Sequence, residues 1–412
     1  VAAESIFARD FSTMRISTAN SYDTGIATLM QRQLDMSNLQ NQMTTGKRVN
    51  QASDDPAAAA IAERAVAAQG QITASQRAVS ASQTSMTQTE SSLGDAGNLM
   101  QSARALIVQA GNATLSDTDR QSIATQLQSI RGQLLGIANA TNSAGSYIFG
   151  GQASSQKPFI ETPSGVQYAA APGQTMAGGG TNLPLTTDGQ AVWLSAPTGN
   201  GVFATSADPG VTDATIDTGS VSDPSALTGA SYTLSFTVSG GATTYAVLKN
   251  GAPTAVTAAP YVSGQAITVD GITVAVSGTP SSGDQFQITP STPTQSVFGT
   301  LDQAIADLST PGRTGSQIAQ SNSATLQSMD AVMNNLEAAR GVAGDVLNGI
   351  DNVTNRLNAQ NLAATTTQSN AEDVDMVSAI SNFQNQQNGY SAALKSYAMV
   401  QQLSLFQYVN GS

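Results

Sequence analysis

Side chains that usually carry chemistry are scarce in this chain, so the few present limit what it can do. Among its 412 residues there is no Cys and no His. That excludes disulfide frameworks, thiolate nucleophiles, Ser-His-Asp triads and most zinc sites. A Cys-free composition also suits a protein that leaves the cell unfolded and must not cross-link on the way. Carboxylates remain. Asp54 and Asp55 are adjacent and invite reading as a metal or acid–base pair, but no other ligand cluster accompanies them. Ser53-Asp54-Asp55-Pro56 reads more simply as a helix start. An acidic N-cap precedes Pro at the first helical position, where a missing N–H costs nothing. Both carboxylates also favour the positive end of the helix dipole. The eight acids between residues 151 and 295 are scattered, and a glycosidase-like pair would need the fold to bring two of them together. Gly46-Lys47 superficially suggests a phosphate loop, but GxxxxGK[ST] is absent. No cofactor, metal or catalytic residue is expected.

Composition narrows the partners. Net charge is −12 with only 16 basic residues, which makes the chain a poor phosphate binder and nucleic acid an unsuitable partner. Charged residues are 11% of the chain, and uncharged polar residues fill the gap. Such surfaces suit dense protein–protein packing, because few charges need desolvating. No apolar run approaches the ~18–20 residues of a membrane span, so no membrane partner is expected. Residues 1–13 lack the apolar core of a secretory signal. Met14-Arg15-Ile16-Ser17 looks like a natural start, and 1–13 are therefore expected to be a non-native or upstream extension.

The elements follow from proline and periodicity. Twelve of the fourteen prolines lie between 151 and 295, the exceptions being Pro56 and Pro311. That stretch is rich in Gly, Thr and Val and carries two basic residues, Lys157 and Lys249. Pro and Gly at this density exclude long helices, so the middle is expected to be a β domain between helical flanks. Positions 65, 72, 79, 86, 93, 100 and 107 read Ala, Ile, Val, Met, Leu, Met, Ile. Interleaved positions 61 to 110 read Ile, Ala, Ser, Ser, Thr, Ala, Ala, Ala. A sustained seven-residue period implies a long helix in a coiled-coil-like bundle, with the small positions letting a neighbouring helix approach closely. A third helix after Ser116 keeps the spacing through Ile123, Leu127, Ile130, Leu134 and Ile137. Beyond the β domain a long helix resumes with Leu326, Met329, Met333, Leu336, Ala343, Leu347, Ile350 and Leu357, interrupted at a core position by Arg340. In the β domain, Asp270-Gly271 between two Ile-Thr-Val runs predicts a type I′ hairpin, and the strand Tyr232 to Val238 turns at Gly240-Gly241.

Both chain ends carry weaker stripes. Ile26, Leu29, Gln33, Met36, Gln40 and Met43 follow a heptad; so do Met376, Phe383, Tyr390 and Tyr397, with Ile380, Gln387, Leu394 and Gln401 interleaved. Helices with Gln-broken stripes are marginal alone and need partners, so a joint coiled coil of the two termini is expected. The candidate assembly surface is Ile26, Leu29, Met36, Met43, Met376, Ile380, Phe383, Tyr390, Leu394 and Tyr397. The alternative is that both stripes belong to the core of a self-contained monomer. The expected class is α+β: a long helical bundle formed by both flanks, with an inserted all-β domain. The expected divisions are an assembly segment 14–56, bundle halves 57–150 and 296–370, the β domain 151–295 and an assembly helix 371–412.

Several segments together resemble one family. Met14-Arg15-Ile16-Ser17-Thr18, Thr45-Gly46-Lys47-Arg48-Val49 followed by Ser53-Asp54-Asp55-Pro56, and Gly111-Asn112-Ala113-Thr114-Leu115-Ser116-Asp117 are similar to the hook-associated protein 3 family of the bacterial flagellum. So are Gly145-Ser146-Tyr147-Ile148-Phe149-Gly150-Gly151, Glu372-Asp373-Val374-Asp375 and Tyr390-Ser391-Ala392-Ala393-Leu394, in the family's order. Pro56 after two Asp residues, and the Met-Arg-Ile-Ser start, set the chain apart from the related flagellins. The resemblance implies a structural hook–filament junction adaptor, extracellular, exported through the flagellar type III apparatus without a cleaved signal. It implies a ring of copies between hook-associated protein 1 and flagellin, and an export chaperone. The alternatives are flagellin itself, or a secreted adhesin or enzyme with its site in the β domain.

Overall fold

A computed structural model describes residues 10–112, 114–180 and 182–409, with backbone alone for residues 10–19, 21 and 401–409. Of the expected extension, residues 1–9 lie outside the described residues, as do Ala113 and the Gln401 side chain. The helices are α1 (Asp10–Thr45), α2 (Pro56–Ala110), α3 (Asp117–Ala138), α4 (Gly189–Leu194), α5 (Val297–Ser309), α6 (Gly315–Glu372) and α7 (Met376–Val409). The chain divides into two compact units, residues 75–355 and residues 1–74 with 356–412.

In the first unit, α2, α3, α5 and α6 enclose one core. Leu93, Met100 and Ile107 of α2 meet Ile123, Leu127 and Leu134 of α3, Phe298 and Leu301 of α5, and Met329, Val332 and Leu336 of α6. Ser116 and Asp119 form a reciprocal capping box that starts α3. The sequence period is thus the core period, with two differences. First, the small positions of α2 do two jobs. Ala96, Ala103 and Ala110 pack in the helical core. Ser75 and Ser82, together with Ser85 next to that row, instead donate to the Gly179, Pro184 and Leu185 carbonyls, so this stretch of α2 carries an irregular loop and not a close helix. A hydroxyl is needed there because a buried carbonyl without a donor is costly. Second, Arg340 does not break the bundle: its guanidinium pairs with Glu90 at 2.7 Å and lies against Gly94, where no side chain blocks it. Nearer the start of α2, in the other unit, Ala58, Ala62 and Ala65 are buried while Ile61 is exposed.

The middle of the chain differs from the expectation. Residues 151–295 are not a single inserted domain. Phe159 begins β1 (Phe159–Thr162), which pairs with β2 (Gly165–Tyr168), and Trp193 lies in α4. Both are fully buried in the helical core, where Trp193 stacks on Phe298 at 5.8 Å and meets Phe149 edge-on at 5.4 Å. Arg131 of α3 ties this segment down, donating to Glu161 and to Asp302 of α5. Pro and Gly content marks irregular backbone, not membership of a core.

The separate β core begins after it. A six-stranded sheet contains β3 (Phe203–Ala207), β12 (Gln285–Pro290), β6 (Tyr232–Ser239), β7 (Ala242–Lys249) and β8 (Ala252–Pro253) in that order, with β9 (Ala259–Pro260) also on β7. A four-stranded sheet contains β10 (Ala266–Val269), β11 (Ile272–Gly278) and β4 (Ala214–Ile216), with β5 (Ser220–Val221) on β11. Phe203, Leu234, Phe236, Val274, Val276, Phe286 and Ile288 fill the space between them. Both hairpins form as the turn residues dictate: Asp270 and Gly271 have φ of 42° and 78°, and Gly240 and Gly241 have φ of 60° and 81°. Asp270 also accepts from the Tyr232 hydroxyl and the Lys249 ammonium, both at 2.6 Å. Those bonds, Lys249 first, hold its carboxyl below the usual carboxylate range.

Candidate functional site

The second unit holds the two terminal helices and the connections that aim them. α1 and α7 pack antiparallel: Tyr22 meets Tyr397 edge-on at 6.2 Å, and Arg32 crosses Gly389, where a methyl group would lie 2.4 Å from Nη1. On α1 the half-buried side is Tyr22, Leu29, Met36 and Met43 with Gly25, Arg32 and Leu39 between them. On α7 it is Phe383, Tyr390 and Tyr397 with Ala379, Gln386 and Ala393 between them. Leu29, Met36, Met43, Phe383, Tyr390 and Tyr397 are therefore brought together in one seam.

Ile26, Met376, Ile380 and Leu394 are not. The second row of each heptad is displaced by one residue from the sequence reading. Gly25, Arg32 and Leu39 face the seam in place of Ile26, Gln33 and Gln40. Ala379, Gln386 and Ala393 do so in place of Ile380, Gln387 and Leu394. Small residues and glycine let two marginal helices approach, and the larger side chains turn outward. Among the described residues each helix consequently leaves a second apolar face exposed, a continuous row on α1 and one interrupted by Gln384, Gln387 and Ser391 on α7. On α1, Ile26, Met30 and Leu34 are 38%, 62% and 59% exposed. On α7, Met376, Val377, Ile380 and Leu394 are all exposed.

The connections at the base of this pair are built from the quoted motifs. Gly46 ends α1 with φ 73°, its N–H donating to the Gln42 carbonyl and its own carbonyl accepting from Val374 N–H at 3.0 Å. Lys47 and Asp373 form a β-bridge, and Lys47 Nζ pairs with Glu372 at 3.0 Å. Arg48 donates from its backbone to the Glu372 carbonyl at 2.6 Å, from Nη2 to the Ala371 carbonyl at 2.8 Å, and from Nη1 to Asp55. Val49 closes a small core with Ala58, Ala62 and Ala371.

Two of the acidic residues here are helix caps. Asp55 accepts from Ala58 N–H and so caps α2 ahead of Pro56. Asp54 instead accepts from Asn50 and Gln51 N–H and closes the preceding turn, while Ser53 is exposed. Asp375 caps α7 through the N–H groups of Val377 and Ser378. Hydrogen bonding holds all three carboxyls below their ordinary range: from Gln51 first at Asp54, from Ala58 first at Asp55, and from Ser378 first at Asp375. Lys47, Arg48 and Glu372 escaped the sequence reading as a site. Their signals were membership of the quoted motifs and charge of opposite sign beside each helix break.

Most acids of the middle region are likewise held in structural bonds. Asp188 and Asp223 cap short helices, Asp217 accepts from Gly219 and Ala275, and Glu161 and Asp270 are ion-paired. A cleft of about 840 Å³, lined by Asp208, Gln295, Gln303, Arg313 and Gln320 among others, holds its arginine on the carbonyls of Asp307 and Gln317.

Paired terminal helices, a helical bundle and an inserted β domain define a flagellin-like structural protein, and known sequences agree. Residues 16–154 match the N-terminal helical region of bacterial flagellin, and residues 326–409 its C-terminal helical region. Residues 206–290 match the D2-like domain of flagellar hook-associated protein 1, in a region that carried no specific motif in the sequence reading. Flagellar hook-associated protein 3 of Salmonella typhimurium is 39% identical over 152 residues, 37% of this chain and 48% of that protein. That of Escherichia coli is 26% identical over 398 residues, 96% of this chain and 99% of that protein. The flagellar junction protein FlgL from Legionella pneumophila is similar in structure, with a TM-score of 0.62 and 27% identity over 67% of this chain and 94% of that one. FlgL from Xanthomonas campestris gives 0.66 and 28% over 75% and 99%. The chain is a structural, non-enzymatic subunit of the hook–filament junction in the extracellular flagellum, similar over nearly its whole length to flagellar hook-associated protein 3.

Proposed function

We propose that the α1–α7 pair is the assembly surface of this junction subunit. A ring of copies then joins hook-associated protein 1 on one side to flagellin on the other. The observation that carries this is the second apolar stripe on each terminal helix, Ile26, Met30 and Leu34 on one and Met376, Ile380 and Leu394 on the other, exposed in the single chain. Exposed apolar stripes on paired helices mark an interaction site, and full burial of such side chains stabilises by ~1.5–3 kcal/mol each. Before assembly the same stripes need covering, which is the work of an export chaperone. The capped junction at Lys47, Arg48, Asp55 and Glu372 fixes where the pair leaves the long helices, so that copies present it alike.

Leu394→Asp tests this. Leu394 is 42% exposed, so the purified variant melts within about 1 kcal/mol of the parent, as ordinary surface substitutions do. In cells carrying it, filaments fail to attach and flagellin is lost to the medium, because every copy in the ring repeats the defect. Normal filaments would show that the stripe is not an assembly surface. A large loss of melting temperature would place Leu394 in the monomer core.

A further inference from the structure

The outer faces of α1 and α7 differ in charge as well as position. The described side chains of α7 include one charged group, Lys395, exposed beside Leu394. On α1, Asp23 is exposed three residues before Ile26, on the stripe that continues through Met30 and Leu34. Side chains three and four apart share one helix face. Neither Asp23 nor Lys395 has an ion-pair partner among the described residues. The antiparallel register sets them at one level. Tyr22 meets Tyr397, Asp23 is one residue along α1 from that contact, and Lys395 is two residues along α7 in the same direction. At ~1.5 Å per residue they differ in height by only about 1.5 Å.

We propose that the outer stripe of α1 in one copy docks on the outer stripe of α7 in the next, with Asp23 of the first copy paired to Lys395 of the second. This rests on the assembly reading above and specifies its lateral contact. The occupant is a second copy of this chain, because the two stripes and the two charges complement each other at matching height. A symmetric contact of α1 with α1 would bring Asp23 to Asp23, and one of α7 with α7 would bring Lys395 to Lys395; both repel. Joining two different faces gives a head-to-tail contact, the kind that closes into a ring or continues as a helix.

Charge exchange in the full chain tests the pairing. Asp23→Lys alone and Lys395→Glu alone each lower the number of attached filaments per cell by tenfold or more, and the combined variant restores it. The chain has no Cys, so Asp23→Cys with Lys395→Cys adds an independent readout. Oxidation of isolated flagella yields a ladder of disulfide-linked multimers. Single variants that assemble like the parent, a combined variant as defective as either single, or the absence of a ladder each overturn the pairing. Leu394→Asp run alongside separates the two claims. If it abolishes attachment while the exchanges do nothing, assembly by the terminal helices stands and this contact falls. If it too assembles normally, the assembly reading is what fails.

Discussion

Replacing Trp193 by Ala tests which core the segment between β1 and α4 belongs to. Trp193 is fully buried and touches Phe149, Phe159 and Phe298, all of them core residues of the helical unit. Large-to-small substitution of a buried aromatic costs about 3–5 kcal/mol. For a helical core of roughly 190 residues, counted without the separate β core, that corresponds to a fall of roughly 6–20 °C in melting temperature. Trp193→Phe should cost less, within about 2 kcal/mol: it keeps a ring against Phe298 and removes a buried indole N–H that has no partner among the described residues. The comparison is Phe236→Ala, which opens a cavity of similar chemistry in the β core. Melting followed by far-ultraviolet circular dichroism near 222 nm reports the helices. It should drop early for Trp193→Ala and late for Phe236→Ala, and Trp193 fluorescence in the second variant should follow the helical transition. If Trp193→Ala leaves the helical transition in place, the segment is a dependent of the β domain and the assignment is wrong.

Deleting residues 203–290 and closing the gap with a short linker should leave a soluble helical protein, since Ser291 N–H already donates to the Val202 carbonyl and the cut ends lie together. Deleting 155–292 should instead lose helicity on circular dichroism, because Phe159 and Trp193 go with it. Asp270 has a depressed carboxyl in the folded state, so its contribution to stability is present above the unfolded value of about 3.9 and is lost as pH falls through the folded value. Asp270→Asn, which tolerates the left-handed turn, should flatten the acid dependence of β-domain melting below about pH 4; an unchanged profile would mean another group controls it. Hydrogen exchange on the isolated chain should be faster across Met376–Tyr397 than across residues 93–107 of α2, since only one side of α7 is covered. Equal protection would favour the self-contained monomer.

What could be read in advance was whatever depends on periodicity or on turn chemistry. Met86, Leu93, Met100 and Ile107 lie in one buried row because seven residues make nearly two helical turns, and nothing outside the helix is needed to see it. Asp270-Gly271 and Gly240-Gly241 make hairpins because both central residues need positive φ. Pro56 marks the first residue of α2 for the reason Pro suits that position anywhere. Core membership was less legible. Phe159 and Trp193 sit among prolines and glycines, and only the packing of their rings against Phe298 shows that they belong with the helices.

The terminal helices show why the proposed assembly stripe was half legible. A seam of two helices needs two rows on each, and the sequence offers three candidates: one of large residues and two flanking it. Size favours Ile26 and Ile380 for the second row, but two helices with few large apolar residues gain more by close approach, which Gly25, Ala379 and Ala393 permit. Arg32 then lies across residue 389, where Gly leaves room for its guanidinium, a correlation between two helices that no single-helix pattern contains. The row displaced outward keeps its apolar character. In a protein acting alone that would be a liability, with Met30 and Leu34 more than half exposed. Under the proposed ring assembly it is the face that a neighbouring copy would cover.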